Sequence, residues 1–312
     1  MILRSGDRLN NLHSDFSHLA PAVEHVAAPS NEDRLRRIRS DRWIGYTRAR
    51  SALQRMEELF TWPNKQRMPN LLIIGPTNNG KSMIVEKFRR DHFVAPAAEG
   101  GDREYIPVVV VQTPSEPSVA RFYSGLLAGI GAPIRRQARV AELEQLALQL
   151  LKAVRARILI IDELHNVLAG KTDARREFLN LLRFIGNELR IPIVGVGTRD
   201  AYLAIRSDDQ LENRFEPVPL PVWEEGDELL SLLASFSTVF PLKRPSFITT
   251  TEMSRHILSR TEGTIGEIAK LLTAAAVAAV ESGEEAINQR TLSLAEYQSP
   301  NERRRAFERM LL

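Results

Sequence analysis

The chain has 312 residues, a net charge of +3 and no cysteine, with apolar and charged fractions ordinary for a globular protein that holds one large domain or one large and one smaller. The missing cysteine excludes disulfides, thiol catalysis and thiolate metal sites. No apolar run is long enough to span a bilayer, and Met1-Ile-Leu-Arg-Ser-Gly-Asp7 lacks the basic start and apolar centre of a signal peptide, so cytoplasmic residence without a membrane partner is expected.

Residues 1–40 show weak periodicity broken by Pro21, Pro29 and Ser30, which predicts an extension rather than a domain. Periodic structure starts near Asp41. Helical spacing runs through 47–60, Trp62-Pro63-Asn64 breaks it, and 70–74 reads as the first strand. Directly behind that strand stands Gly75-Pro76-Thr77-Asn78-Asn79-Gly80-Lys81-Ser82, the full G-x-x-x-x-G-K-[ST] pattern, and Met83 continues into a helical stretch to Arg90. Glycines let the backbone curl close to a polyphosphate, Lys81 reaches the β- and γ-phosphates, and the Ser82 hydroxyl meets Mg²⁺. The helix behind the loop adds unpaired N–H groups, so residues 75–83 are expected to cradle ATP or GTP.

Strands and helices then alternate. Strands are expected over 106–111, 158–161 and 191–196, and helices over 119–130, 140–156 and 174–189, which predicts an α/β core with a parallel sheet covered on both faces. The strand Ile158-Leu-Ile-Ile161 ends in Asp162-Glu163, at the edge where open α/β sheets bind ligands. Asp162 is expected to hold Mg²⁺ together with Ser82, and Glu163 to polarise the water that attacks the γ-phosphate. Two solvated acids capping the next helix are the plainer alternative. Thr198, ending the next strand, is a candidate sensor of the nucleotide if the strands are neighbours, or a cap for the helix near Asp200. In Leu211-Glu-Asn-Arg-Phe215, Arg214 is the first choice for a guanidinium that stabilises the transferring phosphoryl group from a neighbouring subunit, with Arg206 and Arg199 as competitors.

After the proline-rich stretch 217–221 the pattern becomes helical, over 229–236, 251–260, 265–282 and about 288–296, and 297–312 forms a basic amphipathic tail that is either a docking helix or a frayed end. Arginines crowd three places: 34, 36, 37, 39 and 42; 135, 136 and 139; and 303–305. Such clusters suit phosphate backbones or, equally, solvated helix faces and inter-subunit salt-bridge surfaces.

Phosphate loop, Asp-Glu strand end, polar residue after the fourth strand, Asn-Arg-Phe segment and following helices together resemble the AAA+ ATPases over roughly residues 41–290. Four stretches are most similar to the transposition-regulator ATPases of the TniB/TnsC type: Arg42-Trp-Ile-Gly-Tyr-Thr-Arg-Ala-Arg50, Val111-Gln-Thr-Pro-Ser-Glu-Pro117, Asp162-Glu-Leu-His-Asn166 and Glu262-Gly-Thr-Ile-Gly-Glu267. The resemblance implies an extension at 1–40, an ATPase core at 41–221, a small helical lid at 222–296 and a tail at 297–312. It further implies a bacterial, cytoplasmic ATPase that assembles head-to-tail as a ring or filament on double-stranded DNA, and so joins the nucleoid when bound. Its partners would be a DDE transposase and a target-selection adaptor. Trp43, Ile44 and Tyr46 would lie near the adenine of ATP, and Arg135, Arg136 and Arg139 would face DNA. One departure stands out: many lids of this group place an arginine three residues after a glycine, but Gly263 is followed by Thr264, Ile265 and Gly266. Glu267 or Lys270 is left to contact nucleotide or a neighbour in another way, and hydrolysis is expected to be slow without partners. A helicase loader or replication-initiator-like DNA-binding ATPase is the alternative function, and a scaffold gated by ATP without hydrolysis a third.

Overall fold

The computed structural model describes residues 16–27, 30–94, 105–135 and 138–311. It divides into two compact units, the first made of the described part of 1–44 with 224–262 and 267–311, the second of 45–223 with 263–266.

The second unit opens with α3 (Thr47–Phe60), whose apolar positions Ala49, Ala52, Met56 and Leu59 are buried at helical spacing. Then follow β1 (Asn70–Ile74), α4 (Lys81–Asp91), β2 (Val108–Gln112), α5 (Val119–Gly129), α6 (Val140–Ala153), β3 (Ile158–Asp162), a 3-10 turn at Leu164–Ala169, α7 (Thr172–Leu189), β4 (Ile193–Gly197), α8 (Arg199–Arg206), α9 (Asp209–Glu212) and β5 (Phe215–Pro219). The strands form one parallel sheet in the order β2-β3-β4-β1-β5. Every residue of β3 and β4 is buried, which is why these strands read as unbroken apolar runs in the sequence. Phe122 of α5 and Phe178 of α7 meet edge-to-face at 5.3 Å in the core beside them.

β5 lies where the sequence predicts only a proline-rich exit. Pro217 and Pro219 have no N–H to give a ladder, but β5 is an edge strand that pairs with β1 alone, so neither proline interrupts a second partner. β1 therefore sits between β4 and β5. The chain leaves it for the far edge of the sheet, and the ends of β3 and β4 are brought beside the loop that follows β1.

The first unit contains α1 (Pro21–Ala27), α2 (Asn31–Arg39), α10 (Asp227–Val239), α11 (Thr251–Thr261), most of α12 (Ile265–Glu281), α13 (Gln289–Leu294) and α14 (Pro300–Met310). Two of the three breakers that make the first 40 residues read as an extension are helix starts instead, and the third, Pro29, lies outside the described residues. Pro21 opens α1, where its missing N–H costs nothing, and Ser30 caps α2 through Asp33 N–H. These helices pack with the C-terminal ones: Ala20 N–H donates to Thr238 O at 2.9 Å, and Arg34, fully buried, forms an ion pair with Glu285 and donates to Pro241 O at 2.9 Å. Arg42 lies over the Phe240 ring and donates to backbone carbonyls of Arg37, Ile38, Ser40 and Val239. Arg34 and Arg42 are thus spent within the helical unit, one on an ion pair and one on backbone carbonyls, a use that the sequence reading of the first arginine cluster does not include. The tail holds a capped helix, α14, with Ser299 and Glu302 bonding each other's backbone N–H, and that helix buries no residue of its own.

Candidate nucleotide site

The loop after β1 is fixed by its neighbours in the sheet. Gly75 N–H donates to Gly197 O at 3.1 Å, and a Cβ on Gly75 would stand 2.6 Å from Leu220 O, so only glycine lets β1 and the β5 exit run this close. Asn78 (φ 60°) and Gly80 (φ 83°) take left-handed conformations that curl the chain back into α4. Gly80, the residue before α4, has no side chain to cap the helix, so the N–H groups of its first turn are left to face the curl. Lys81 is buried, and its Nζ donates to Gly75 O at 2.9 Å and Pro76 O at 2.7 Å inside the same curl. Burial lowers the pKa of its ammonium, and the charges of Glu163 and Asp162 oppose that.

The carboxylates arrive from β3. Asp162 is buried at the strand end, with Oδ2 accepting from Ser82 Oγ at 3.2 Å and Oδ1 from Glu163 N–H at 2.8 Å. Ser82 and Asp162, 80 residues apart in sequence, thus present a hydroxyl and a carboxylate side by side, a hard oxygen pair of the kind Mg²⁺ takes. Glu163 has φ 55°, a strained value for a residue with a side chain. Its carboxylate meets His165 Nε2 at 3.1 Å. His165 Nδ1 is buried without a hydrogen-bond partner and lies 3.4 Å from where a Cβ on Gly197 would be. His165 has no role of its own in the sequence analysis, although its place two residues after Glu163 is a signal.

Thr198 follows β4 at the same edge, because β4 pairs with both β1 and β3. It is the residue before α8 but makes no side-chain cap, so its hydroxyl is not committed to the helix. Thr113 at the end of β2 was also missed. Its N–H donates to Asp162 O at 2.8 Å, its own carbonyl accepts from Asn166 Nδ2 at 3.2 Å, and its buried Oγ1 has no hydrogen-bond partner.

Tyr46 closes the loop from the other side, its hydroxyl oxygen 3.3 Å from where a Cβ on Gly80 would stand. Burial pushes its pKa up to about 12, so the hydroxyl is neutral at physiological pH. Trp223 packs edge-on against Tyr46 at 5.1 Å, and the Arg48 guanidinium lies 5.3 Å over the Trp223 ring. Of the three residues expected near a base, Tyr46 belongs to this unit, whereas Trp43 and Ile44 belong to the helical one.

Arg214 stands at the opposite edge of the sheet. It precedes β5, whose first residue pairs with Asn70, while the loop follows Ile74. At about 3.3 Å per residue, five strand positions separate Arg214 from Gly75 by roughly 16 Å. Its Nη1 donates to Asn187 Oδ1 at 2.9 Å, and it lines a cavity of about 600 Å³ with Trp62, Lys65, Arg67 and Asn213. Burial, then the charges of Arg67 and Arg183, push its pKa below the usual arginine value, against Asp208. Its competitors differ: Arg206 is paired with Glu212 at 3.0 Å and lies over Tyr202, and Arg199 opens α8, exposed.

Arg135 and Arg139 are exposed, the latter just before α6, and Arg136 lies outside the described residues. Glu267 is not available to a nucleotide. Within the helical unit its carboxylate accepts from Tyr297 Oη at 2.8 Å and Arg303 Nη2 at 2.7 Å. Among the described residues no group of three or more His, Asp or Glu is placed to hold a metal by itself, and no single helix is long and apolar enough to cross a membrane.

A five-stranded parallel sheet in this order, with a phosphate loop after its fourth-placed strand, an Asp-Glu pair two strands away and helices after the core, defines the AAA+ ATPase fold. Residues 34–225 match the family described as Bacterial TniB protein, and the chain belongs to that family. Solved structures share the fold at low identity. The ORC2 protein of Aeropyrum pernix, in ADPNP–ADP complexes, has TM-score 0.54 and 19% identity over 82% of this chain and 70% of that one. Cdc6p from Pyrobaculum aerophilum has TM-score 0.55 and 17% identity over 80% and 67%. The Aeropyrum pernix ORC1 protein in complex with DNA has TM-score 0.52 and 13% identity over 83% and 68%. No curated protein sequence matches the chain.

Proposed function

We propose that this chain is an ATP-dependent regulator of DNA transposition. It binds ATP with Mg²⁺, hydrolyses it, and oligomerises head-to-tail on double-stranded target DNA in the bacterial cytoplasm. There it recruits or activates a DDE transposase and joins a target-selection adaptor. Membership of the TniB family supports the setting, and the DNA in the ORC1 structure is a precedent on the same fold. The observation that carries the reading is the position of Arg214, at the sheet edge opposite its own loop and held by Asn187.

Residues 75–83 would hold the phosphates through backbone N–H groups and Lys81, with Ser82 and Asp162 holding the cation. Mg²⁺ so held supplies charge neutralisation on the phosphate oxygens. Glu163, oriented by His165, accepts a proton from the attacking water. Thr198, at the adjoining strand end, orients that water or the terminal phosphate. Arg214 cannot reach the loop of its own protomer over roughly 16 Å, so it serves a neighbour's nucleotide, and turnover depends on assembly. Residues 41–221 act as the ATPase core and 222–296 as its lid.

The test is to image the protein on duplex DNA with a non-hydrolysable ATP analogue and measure DNA-stimulated phosphate release. Wild type is expected to form rings or filaments, and Arg214→Ala to lose at least about 100-fold in stimulated release. Stimulated release undiminished in Arg214→Ala, or a protein that stays monomeric on DNA with nucleotide, would count against the reading.

A further inference from the structure

The segment Gly263-Thr264-Ile265-Gly266 lies in the sequence among residues of the helical unit, yet it packs with the core. Its partners there are the loop residues themselves. Gly266 N–H donates to Asn78 O at 3.0 Å, and Ile265 N–H donates to Asn79 Oδ1 at 3.2 Å. Both ends of the Asn79 amide are engaged, since its Nδ2 donates to Leu220 O at 2.7 Å and to Pro221 O at 3.0 Å. Asn79 is buried, so although its backbone belongs to the phosphate cradle, its side chain is a brace that joins three segments: the loop, the β5 exit and the start of α12.

Gly266 fits against Asn78 closely. A Cβ at 266 would stand 1.9 Å from Asn78 Oδ1, nearer than any real contact, and Ile265 Cγ2 lies 3.2 Å from where a Cβ on Gly80 would be. At the other end of the segment Gly263, with φ 67°, accepts from Trp223 N–H at 2.6 Å, and a Cβ there would meet Trp223 O at 2.5 Å. Two glycines and two backbone donors therefore fasten the segment to the turn of the loop. It offers no arginine or lysine, so nothing in it meets a phosphate as a charge, and its two backbone donors tie it to the loop instead.

We propose that Asn79 is a positioning residue for the nucleotide reaction, and that through Asn79 and the Asn78–Gly266 contact the start of α12 responds to the state of the phosphate loop. This rests on the nucleotide reading above. The loop changes its backbone hydrogen bonding when phosphates meet it. Ile265 and Gly266 are bonded to that same backbone and brace, so they are held more firmly or released with it, and α12 continues from them without a break.

The measurement is hydrogen–deuterium exchange of the peptide covering 263–270, with and without ADP and Mg²⁺, alongside fluorescent-ADP binding. In wild type, nucleotide is expected to slow this exchange about ten-fold, the worth of one net hydrogen bond. Gly266→Ala, whose new methyl collides with Asn78, should lose the nucleotide-dependent slowing. Asn78→Gly/Gly266→Ala should regain it, because glycine keeps the left-handed turn and vacates the collision. A merely structural role for Gly266 predicts no rescue by a change in the loop. If Gly266→Ala does not fold, Asn79→Ala decides. It removes the acceptor for Ile265 N–H and should abolish the slowing, with nucleotide affinity reduced about ten-fold. Slowing that survives in Gly266→Ala or Asn79→Ala, or fails to return in the double variant, overturns the proposal. Wild type that binds ADP without slowing overturns the proposal alone, whereas wild type that binds no ADP overturns the nucleotide reading and this proposal together.

Discussion

In the proposed reaction Glu163 would accept the proton and His165 would aim its carboxylate. The carboxylate sits on a strained backbone, and its side chain is aimed by the imidazole at 3.1 Å, so removing either member disturbs a different part of the chemistry. Glu163→Gln keeps size and hydrogen bonding but not basicity, and it should bind fluorescent nucleotide normally while phosphate release falls about 100-fold or more. His165→Ala should lower release about ten-fold, because the carboxylate survives but loses the imidazole contact that aims it. Release unchanged in Glu163→Gln would remove that carboxylate from the reaction. The difference in legibility between these neighbours is physical. Asp162-Glu163 could be read because a buried strand ending in two acids is visible within six consecutive residues. His165 matters because Gly197 of another strand leaves room for its ring, and that adjacency is made only by the pairing of β3 with β4. Thr113 was hidden for the same reason. Its relation to Asp162 exists only across the β2–β3 ladder.

At the scale of elements, α2 is tied to the C-terminal helices by a buried charge. Arg34 donates to Glu285, Asn31 and Pro241 O, and Glu285 also accepts from Lys243 N–H. Burial alone would raise the Glu285 pKa, but the hydrogen bonds and charge of Arg34 outweigh it, so the net shift is downward. A carboxylate with a depressed folded-state pKa contributes stability that is present above its unfolded value, about 4.3, and is lost as pH falls through the folded value. Arg34→Ala leaves Glu285 largely buried without its main partner and should cost about 3–5 kcal/mol in urea denaturation at pH 7. Its deficit relative to wild type should shrink as the pH is lowered below about 4. A deficit that does not change with pH would mean that lost packing, not the ion pair, is responsible. The sequence hides this element because its breakers point both ways: Pro21 and Ser30 interrupt a helix or begin one, and only tertiary partners such as Thr238 and Glu285 decide which. β5 is hidden similarly, since prolines argue against a strand unless the strand is at an edge. By contrast, the apolar runs of β1, β3 and β4 were legible because burial on both faces leaves no polar position to confuse the period.

For the whole molecule the proposed function requires a charged surface that meets DNA, and the structure narrows the choice among the arginine clusters. Arg34 is buried and Arg42 is spent on backbone carbonyls, so the first cluster cannot act as a unit, while Arg303 is paired with Glu267. Arg135 and Arg139 are both exposed at the loop leading into α6. Each arginine that neutralises a phosphate releases counterions, contributing about −0.9 to the slope of log affinity against log salt. If a protomer's Arg135 and Arg139 both contact phosphate, replacing them with alanine should reduce the slope by about 2 per protomer bound and weaken binding uniformly across sequences. Arg304→Ala/Arg305→Ala, on the exposed face of α14, is the matched control, since it removes the same charge from a different surface. An equal loss in the control would show that binding follows total charge and not the surface before α6. A loss confined to the control would move the DNA contact to the C-terminal helix. The comparison is decisive because both variants change net charge equally, so only a localised contact can separate them.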